Sequence, residues 1–327
     1  MKRTLVYCLE VVLTITITLI GIVKLGHALR PIDTDDVHTQ VEVFHSLPQN
    51  SAEVIVYGSS HAFRGLDPME AYKEYGIGMY NYGWHWQKMN TTKMFLKDSL
   101  TSQKPKVALV ECFYVGSVIN NKDMSAEIFY SRYIKDRAAK WEYIRECCGN
   151  DLGKYLTYFI PISYFHDNWT ELSKGRFKSL PINSTYKYNM GYMPMHDASD
   201  VDILKYEDLA QKKLKDNAVG CLEEIVNTCK ENDIEVVFYI QPTGNEWKYG
   251  DAMEEFAAAH DCYFLNLFNV VQEIGLDGKT DYFDKGHLNS TGARKMADYI
   301  GRFLVENFDL TDMRTVENNP WEQVLNK

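Results

Sequence analysis

The 327-residue sequence has no block of basic residues: Lys and Arg total 35 against 45 Asp and Glu, for a net charge of −10. That sets nucleic acid aside as a partner, because binding to phosphates is driven by clustered cations that release counterions. Pairs of Cys with neighbouring His at metal-ligand spacing are also missing, so no zinc site is expected, and nothing else in the sequence calls for another metal or a cofactor. There is no internal repeat and no low-complexity segment. What remains is a globular chain, and 45% hydrophobic with 13% aromatic residues is enough to build a sizeable core. Cysteine is sparse, seven in all. Cys8 lies in an N-terminal apolar run, and the other six (Cys112, Cys147, Cys148, Cys221, Cys229 and Cys262) permit disulfides without requiring any. Cys112 and Cys262 sit in strand-like runs, where a small buried thiol is the usual reading.

A long apolar run occurs at the N-terminus. "TLVYCLEVVLTITITLIGIV", in which Leu5 to Val23 is interrupted only by Glu10 and three threonines, has about the ~20 residues a helix needs to cross a bilayer. No small-x-small cleavage site follows in "KLGHALRPID", so an uncleaved transmembrane anchor over residues 1–30 is expected rather than a signal peptide. Lys2 and Arg3 favour a cytoplasmic N-terminus, which makes the rest an extracytoplasmic part held at the cell membrane by a single pass. Glu10 within the span reads either as a shallow position near the headgroups or as a contact to another membrane protein.

Residues 31–52 form a polar connector whose apolar positions Val37, Val41, Phe44 and Leu47 predict a short helix. A main domain over 53–308 follows. In it, β-branched or aromatic runs recur at Glu53–Gly58, Met79–Gly83, Val107–Phe113, Ile234–Ile240 and Cys262–Leu267, separated by stretches with helical spacing. Continuous apolar runs alternating with helices predict an α/β fold with a parallel sheet covered on both faces. Asp67-Pro68 marks one helix start, Ala218, Leu222, Ile225 and Cys229 form one apolar stripe, and Asn289 or Ser290 caps a final helix. The alternation breaks at about 114–202, an insertion rich in Tyr, Phe and Trp. Such an insertion either shapes a binding cleft, where flat rings suit sugars, or packs as a satellite cluster on the core. Residues 309–327 read as a C-terminal tail.

In a doubly wound sheet the residues just after each strand face the ligand. Ser59, Ser60 and His61 follow the first strand, where a sharp turn would project a serine hydroxyl beside backbone N–H groups able to hold an oxyanion; taken alone, "GSS" is a turn with a helix cap. Near the other end, Asp284 and His287 are three apart in "FDKGHLNSTGARK", a spacing that lets the carboxylate accept the imidazole Nδ1 proton and leaves Nε2 as a base. In "YNYGWHWQ", after the second strand, Gly83 can bring its N–H close to a bound carbonyl because no side chain intervenes.

Together "YGSSH", "NYGWHWQ" and "FDKGHLNSTGARK" resemble, in order and spacing, the blocks of the SGNH/GDSL hydrolase superfamily over roughly Glu53 to Leu304. The likeness is nearest to its membrane-anchored cell-envelope branch, which includes the teichoic-acid D-alanylation protein and the alginate O-acetylation proteins. The resemblance implies a three-layer α/β/α fold with a five-stranded flavodoxin-like sheet. It implies Ser60 as nucleophile, His287 as base, Asp284 as its partner, and the Ser60 and Gly83 N–H groups as oxyanion donors. Trp84 and Tyr114 are the rings expected to touch substrate. The implied activity is that of a serine esterase or O-acyltransferase on an acylated envelope polysaccharide, working beside a multi-spanning membrane-bound O-acyltransferase. One departure stands out: the family's third block supplies an oxyanion-hole asparagine, and here the third strand runs into "VECFYVGS" without one. That leaves a rival reading, a catalytically inactive envelope protein that binds glycan or serves assembly.

Overall fold

The computed structural model describes residues 2–30, 36–119, 126–177 and 184–326. The connector positions 31–35 and the insertion positions 120–125 and 178–183 lie outside the described residues. Helix α1 (Lys2–Ala28) is followed by α2 (Asp36–His45), β1 (Val54–Tyr57), α3 (Ser60–Gly65), α4 (Pro68–Tyr75), β2 (Met79–Asn81), α5 (Met89–Ser99) and β3 (Val107–Glu111). The insertion holds α6 (Arg137–Cys148), α7 (Leu152–Phe159), α8 (Ile162–Phe165) and α9 (Ser184–Tyr188). Then come α10 (Asp216–Lys230), β4 (Glu235–Ile240), α11 (Gly250–Ala259), β5 (Tyr263–Asn266), α12 (Val271–Ile274), α13 (Ser290–Asn307) and α14 (Pro320–Leu325).

The five strands form one parallel sheet in the order β2-β1-β3-β4-β5, the flavodoxin-like order expected. Alternation along each strand sorts side chains between two cores. Val54, Val56, Val107, Leu109 and Val237 face one way, against Ala62 and Leu66 at the α3 side and Met296, Ala297, Ile300 and Leu304 of α13. Ile55, Tyr57, Ala108, Val110 and Phe238 face the other, against Phe95 of α5, the α10 stripe of Leu222, Ile225 and Cys229, and Phe256 of α11. Strands buried on both sides have no solvated face, which is why their sequences read as continuous apolar runs rather than alternating ones.

The helix starts follow their capping chemistry. Asp67 accepts from the Met69 N–H ahead of Pro68, and Asn289 accepts from the N–H groups of Thr291 and Gly292. The connector helix α2 buries Val37, Val41 and Phe44 completely, with Phe44 stacked on Tyr82 at 4.1 Å between ring centroids. The residues read as a tail also pack: Trp321 of α14 is fully buried and donates its Nε1–H to Met79 O (2.8 Å). Cys112 is buried and free, as read, whereas Cys262 is only half-buried. Helix α1 is long and apolar enough over Arg3–Gly26 to span a membrane. Two of its threonine hydroxyls donate to the carbonyls one turn back, Thr14 to Glu10 and Thr16 to Val12, each at 2.8 Å, so their hydrogen bonds are made within the helix itself.

Candidate active site

Ser60 is positioned by the turn that ends β1. Gly58 stands at φ +149°, and a Cβ there would fall 2.5 Å from Glu111 Cβ, so the chain can leave β1 against β3 only because that position has no side chain. Ser59 then caps α3, its Oγ accepting from the His61 N–H at 3.3 Å. Ser60 is the first residue of that helix, and its Oγ lies 2.7 Å from His287 Nε2.

The histidine comes from the turn ahead of α13, closed by an antiparallel bridge between Tyr282 and Leu288. Within it, Asp284 accepts from the backbone N–H groups of Gly286 (2.8 Å) and His287 (2.9 Å) and from His287 Nδ1 (2.9 Å). The carboxylate thus fixes the imidazole with its proton on Nδ1 and the Nε2 lone pair toward Ser60. Partial burial pushes the Asp284 carboxyl upward, but the His287 hydrogen bond and the two backbone N–H groups outweigh it and hold the group below its ordinary range. Asp284 therefore stays charged, ready to stabilise an imidazolium.

Gly83 follows β2 and abuts the same turn. A Cβ at Gly83 would fall 2.8 Å from Gly58 O and 3.3 Å from Ala62 Cβ, so this close approach requires glycine. The next residue, Trp84, donates its N–H to Gly58 O (2.9 Å). Among the described residues no protein acceptor is bonded to the N–H of Ser60 or of Gly83, which leaves both able to donate to an oxyanion.

Beneath this lies a second array that the sequence reading assigned no role. Glu111, the last residue of β3, is buried, and its Oε2 accepts from Ser59 N–H (3.0 Å) and Ser59 Oγ (2.8 Å), while Oε1 accepts from Phe113 N–H. Ser59 Oγ is also 3.0 Å from His61 Nδ1. The His61 ring stacks between Phe113 (3.9 Å) and His287 (5.2 Å), and its buried Nε2 has no partner among the described residues. Burial, offset in part by the Ser59 hydroxyl and the N–H groups, raises the Glu111 carboxyl to about 7. Burial and then the nearby His287 lower His61 to about 3. Glu111 thus occupies the strand end where the superfamily's oxyanion asparagine was sought, and it is turned inward onto Ser59. The available signal was a carboxylate closing an otherwise apolar run, a group that must find partners once buried.

Trp84, expected to touch substrate, is 1% exposed and stacks on Phe63 at 5.7 Å. Its ring belongs to the core. The exposed ring of that segment is Trp86. Tyr114 is half-buried and meets Phe113, the ring that stacks on His61, edge-on at 5.1 Å. The end of the insertion borders the site: Asn81 N–H donates to Met190 O, Met193 N–H to Phe63 O, and Ser290 N–H to Met195 O, at 2.7–2.9 Å. Elsewhere, the carboxylates of Glu142, Glu146 and Glu224 converge. Lys93 Nζ already sits among them, 3.2 Å from Glu142 and 2.8 Å from Glu224, so an ammonium meets their charge. A cleft of about 810 Å³ lined by Val201–Glu207, Phe268 and Leu276–Gly278 contains none of Ser60, Asp284 and His287.

No family model matches the chain and no curated protein matches it. Among solved structures it is similar to a Bacteroides fragilis protein provisionally described as an acylhydrolase, at 11% identity and a TM-score of 0.39, over 81% of this chain and 94% of that one. At that level of likeness the neighbour says nothing about chemistry, which has to come from this chain's own residues.

Proposed function

We propose that the protein is a serine acyl-ester hydrolase or O-acyltransferase of the SGNH type, anchored by α1 and acting outside the membrane on acyl esters of a cell-envelope glycopolymer. The observation that carries this reading is the 2.7 Å contact between Ser60 Oγ and His287 Nε2, with Asp284 2.9 Å behind the same ring. Ser60 Oγ attacks the ester carbonyl carbon as its proton passes to His287 Nε2. The carbonyl oxygen becomes an oxyanion, for which the unbonded N–H groups of Ser60 and Gly83 are the candidate donors. The ester C–O bond then breaks and the leaving alcohol takes the proton from His287, giving an acyl-Ser60 intermediate. A sugar hydroxyl or water attacks that acyl carbon, returns a proton through His287, and restores Ser60. Which acceptor enters decides between transfer and hydrolysis.

The test is reaction of the full chain in membranes with a fluorophosphonate, which modifies only an activated serine. Labelling that disappears in Ser60→Ala is the expected result. An unlabelled wild-type chain would favour the inactive glycan-binding reading. Protease added to intact cells or spheroplasts should digest the domain and spare the N-terminus; a protected domain would reverse the topology. A membrane-bound O-acyltransferase partner is proposed on the resemblance alone, with Glu10 as the residue a partner helix would satisfy.

A further inference from the structure

Helix α7 turns its apolar residues outward. Lys154 and Tyr158 are buried, whereas Leu152, Leu156 and Phe159, at i, i+4 and i+7, are 71%, 52% and 48% exposed. That is the reverse of a helix packed on a domain surface in water. Its position relative to α1 indicates what covers that face. Phe159 lines one groove together with Leu19 and Val23 of α1, and Arg132 and Lys140 line the same groove. Leu19 is four residues inside the end of the apolar run, about 6 Å at the helical rise per residue, so Phe159 stands at a depth within the span.

Three further exposed rings are tied to the same place. Trp141 lies 5.9 Å from the Phe159 ring. Trp169, 68% exposed, adjoins Asn168, whose side chain donates to Leu29 O at the end of α1 (2.9 Å). Phe177, 57% exposed, adjoins Arg176, which donates to Arg30 O (2.8 Å). Helix α1 also packs directly on the insertion, with Gly26 against Pro161 and Ile162.

We propose that the aromatic insertion is a second membrane contact, in which the outward face of α7 and the rings of Trp141, Trp169 and Phe177 enter the leaflet where α1 ends. Aromatic rings favour that interfacial depth. The occupant is lipid because the apolar face is continuous with the lipid-facing side of α1. The insertion then fixes the tilt of the domain on the bilayer, so that the site does not swing freely on a single tether. The proposal rests on the reading of α1 as a membrane span.

The full chain, with Cys8→Ser and Cys262→Ser to clear accessible thiols, is reconstituted in nanodiscs of phosphatidylcholine and phosphatidylglycerol. It carries a nitroxide at one of three exposed positions: Leu13→Cys in α1, Leu156→Cys in α7 or Val305→Cys in α13. Spin-label relaxation by oxygen, which concentrates in lipid, is compared with relaxation by a water-soluble nickel chelate. The expected oxygen-to-nickel ratio is several-fold higher at 13 and 156 than at 305. A water-like label at 156 with a lipid-like label at 13 overturns the second contact and leaves the span standing. A water-like label at 13 overturns the span and the proposal with it. A label at 156 shielded from both reagents means that protein covers α7, a second copy or a partner helix, and also overturns the proposal.

Discussion

Two arrays share the tripeptide Ser59-Ser60-His61, and each contains a serine, a histidine and a carboxylate. In the outer one the histidine is central: Asp284 holds His287 Nδ1, and Nε2 faces Ser60. In the inner one the serine is central: Glu111 and His61 both meet Ser59 Oγ, and His61 Nε2 meets nothing among the described residues. The environments differ as well. Asp284 is part-exposed and held in its charged form, whereas Glu111 and His61 are buried, with one raised to about 7 and the other lowered to about 3. A serine that is to act as a nucleophile needs a proton acceptor beside it and a fixed charge behind that acceptor. The outer order supplies both. The inner order supplies a buried clamp on the turn, so residue type alone does not tell which of the two serines faces a base.

The largest effect that could break this comparison is at Ser60. Ser60→Ala should abolish fluorophosphonate labelling and reduce hydrolysis of a small aryl acetate by about 10⁴-fold or more while leaving the thermal midpoint near wild type, since a triad serine acts only in the reaction. Undiminished turnover would remove Ser60 as nucleophile. His287→Ala should come close to the same loss and Asp284→Ala should fall short of it, because the acid only orients the ring and stabilises its charge. Steady-state rates for the three variants measure that ranking. Equal activity in wild type and His287→Ala would dissolve the outer array.

The inner array should respond in stability. Glu111→Ala leaves the Ser59 N–H, the Ser59 hydroxyl and the Phe113 N–H without their acceptor and opens a cavity, for a loss of about 2–5 kcal/mol in chemical denaturation. Ser59→Ala should cost less, about 1–2 kcal/mol, with a modest loss of activity from the loosened turn. If Ser59→Ala were as inactive as Ser60→Ala while fully folded, the two serines would have been assigned the wrong way round.

The parallel sheet and its helices were legible because double burial writes continuous apolar runs and capping residues mark helix starts; the expected strands differ from the observed ones by one or two residues at their ends. The three blocks that the structure brings together at Ser60, Gly83, Asp284 and His287 were legible because the fold collects strand ends at one edge. Trp84 was misread because its burial depends on Phe63 and Tyr130, the latter in the insertion, and neither contact leaves a trace in local sequence. Glu111 and His61 could not be paired from sequence, since Ser59, which joins them, already had a sufficient local explanation as a helix cap. The insertion showed its aromatic content but not its outward face, because that face is meaningful only once α7 lies beside α1.

The smallest effect concerns protons in the inner array. Glu111 is at 4.5 when unfolded and about 7 when folded, so between those values the native state keeps a proton that the unfolded chain has lost, and stability falls as pH rises. His61 is at 6.5 when unfolded and about 3 when folded, so the unfolded chain takes up a proton that the native state refuses, and stability falls as pH drops. From 4.5 to 6.5 the two slopes oppose each other, and the pair adds little net pH dependence. Glu111→Gln removes one slope and leaves the other. Urea midpoints of the variant relative to wild type should therefore rise with pH across that window, whatever constant offset the substitution introduces. A difference independent of pH would mean that Glu111 is already charged across this window in the folded protein, and the inner array would then carry a buried anion throughout it.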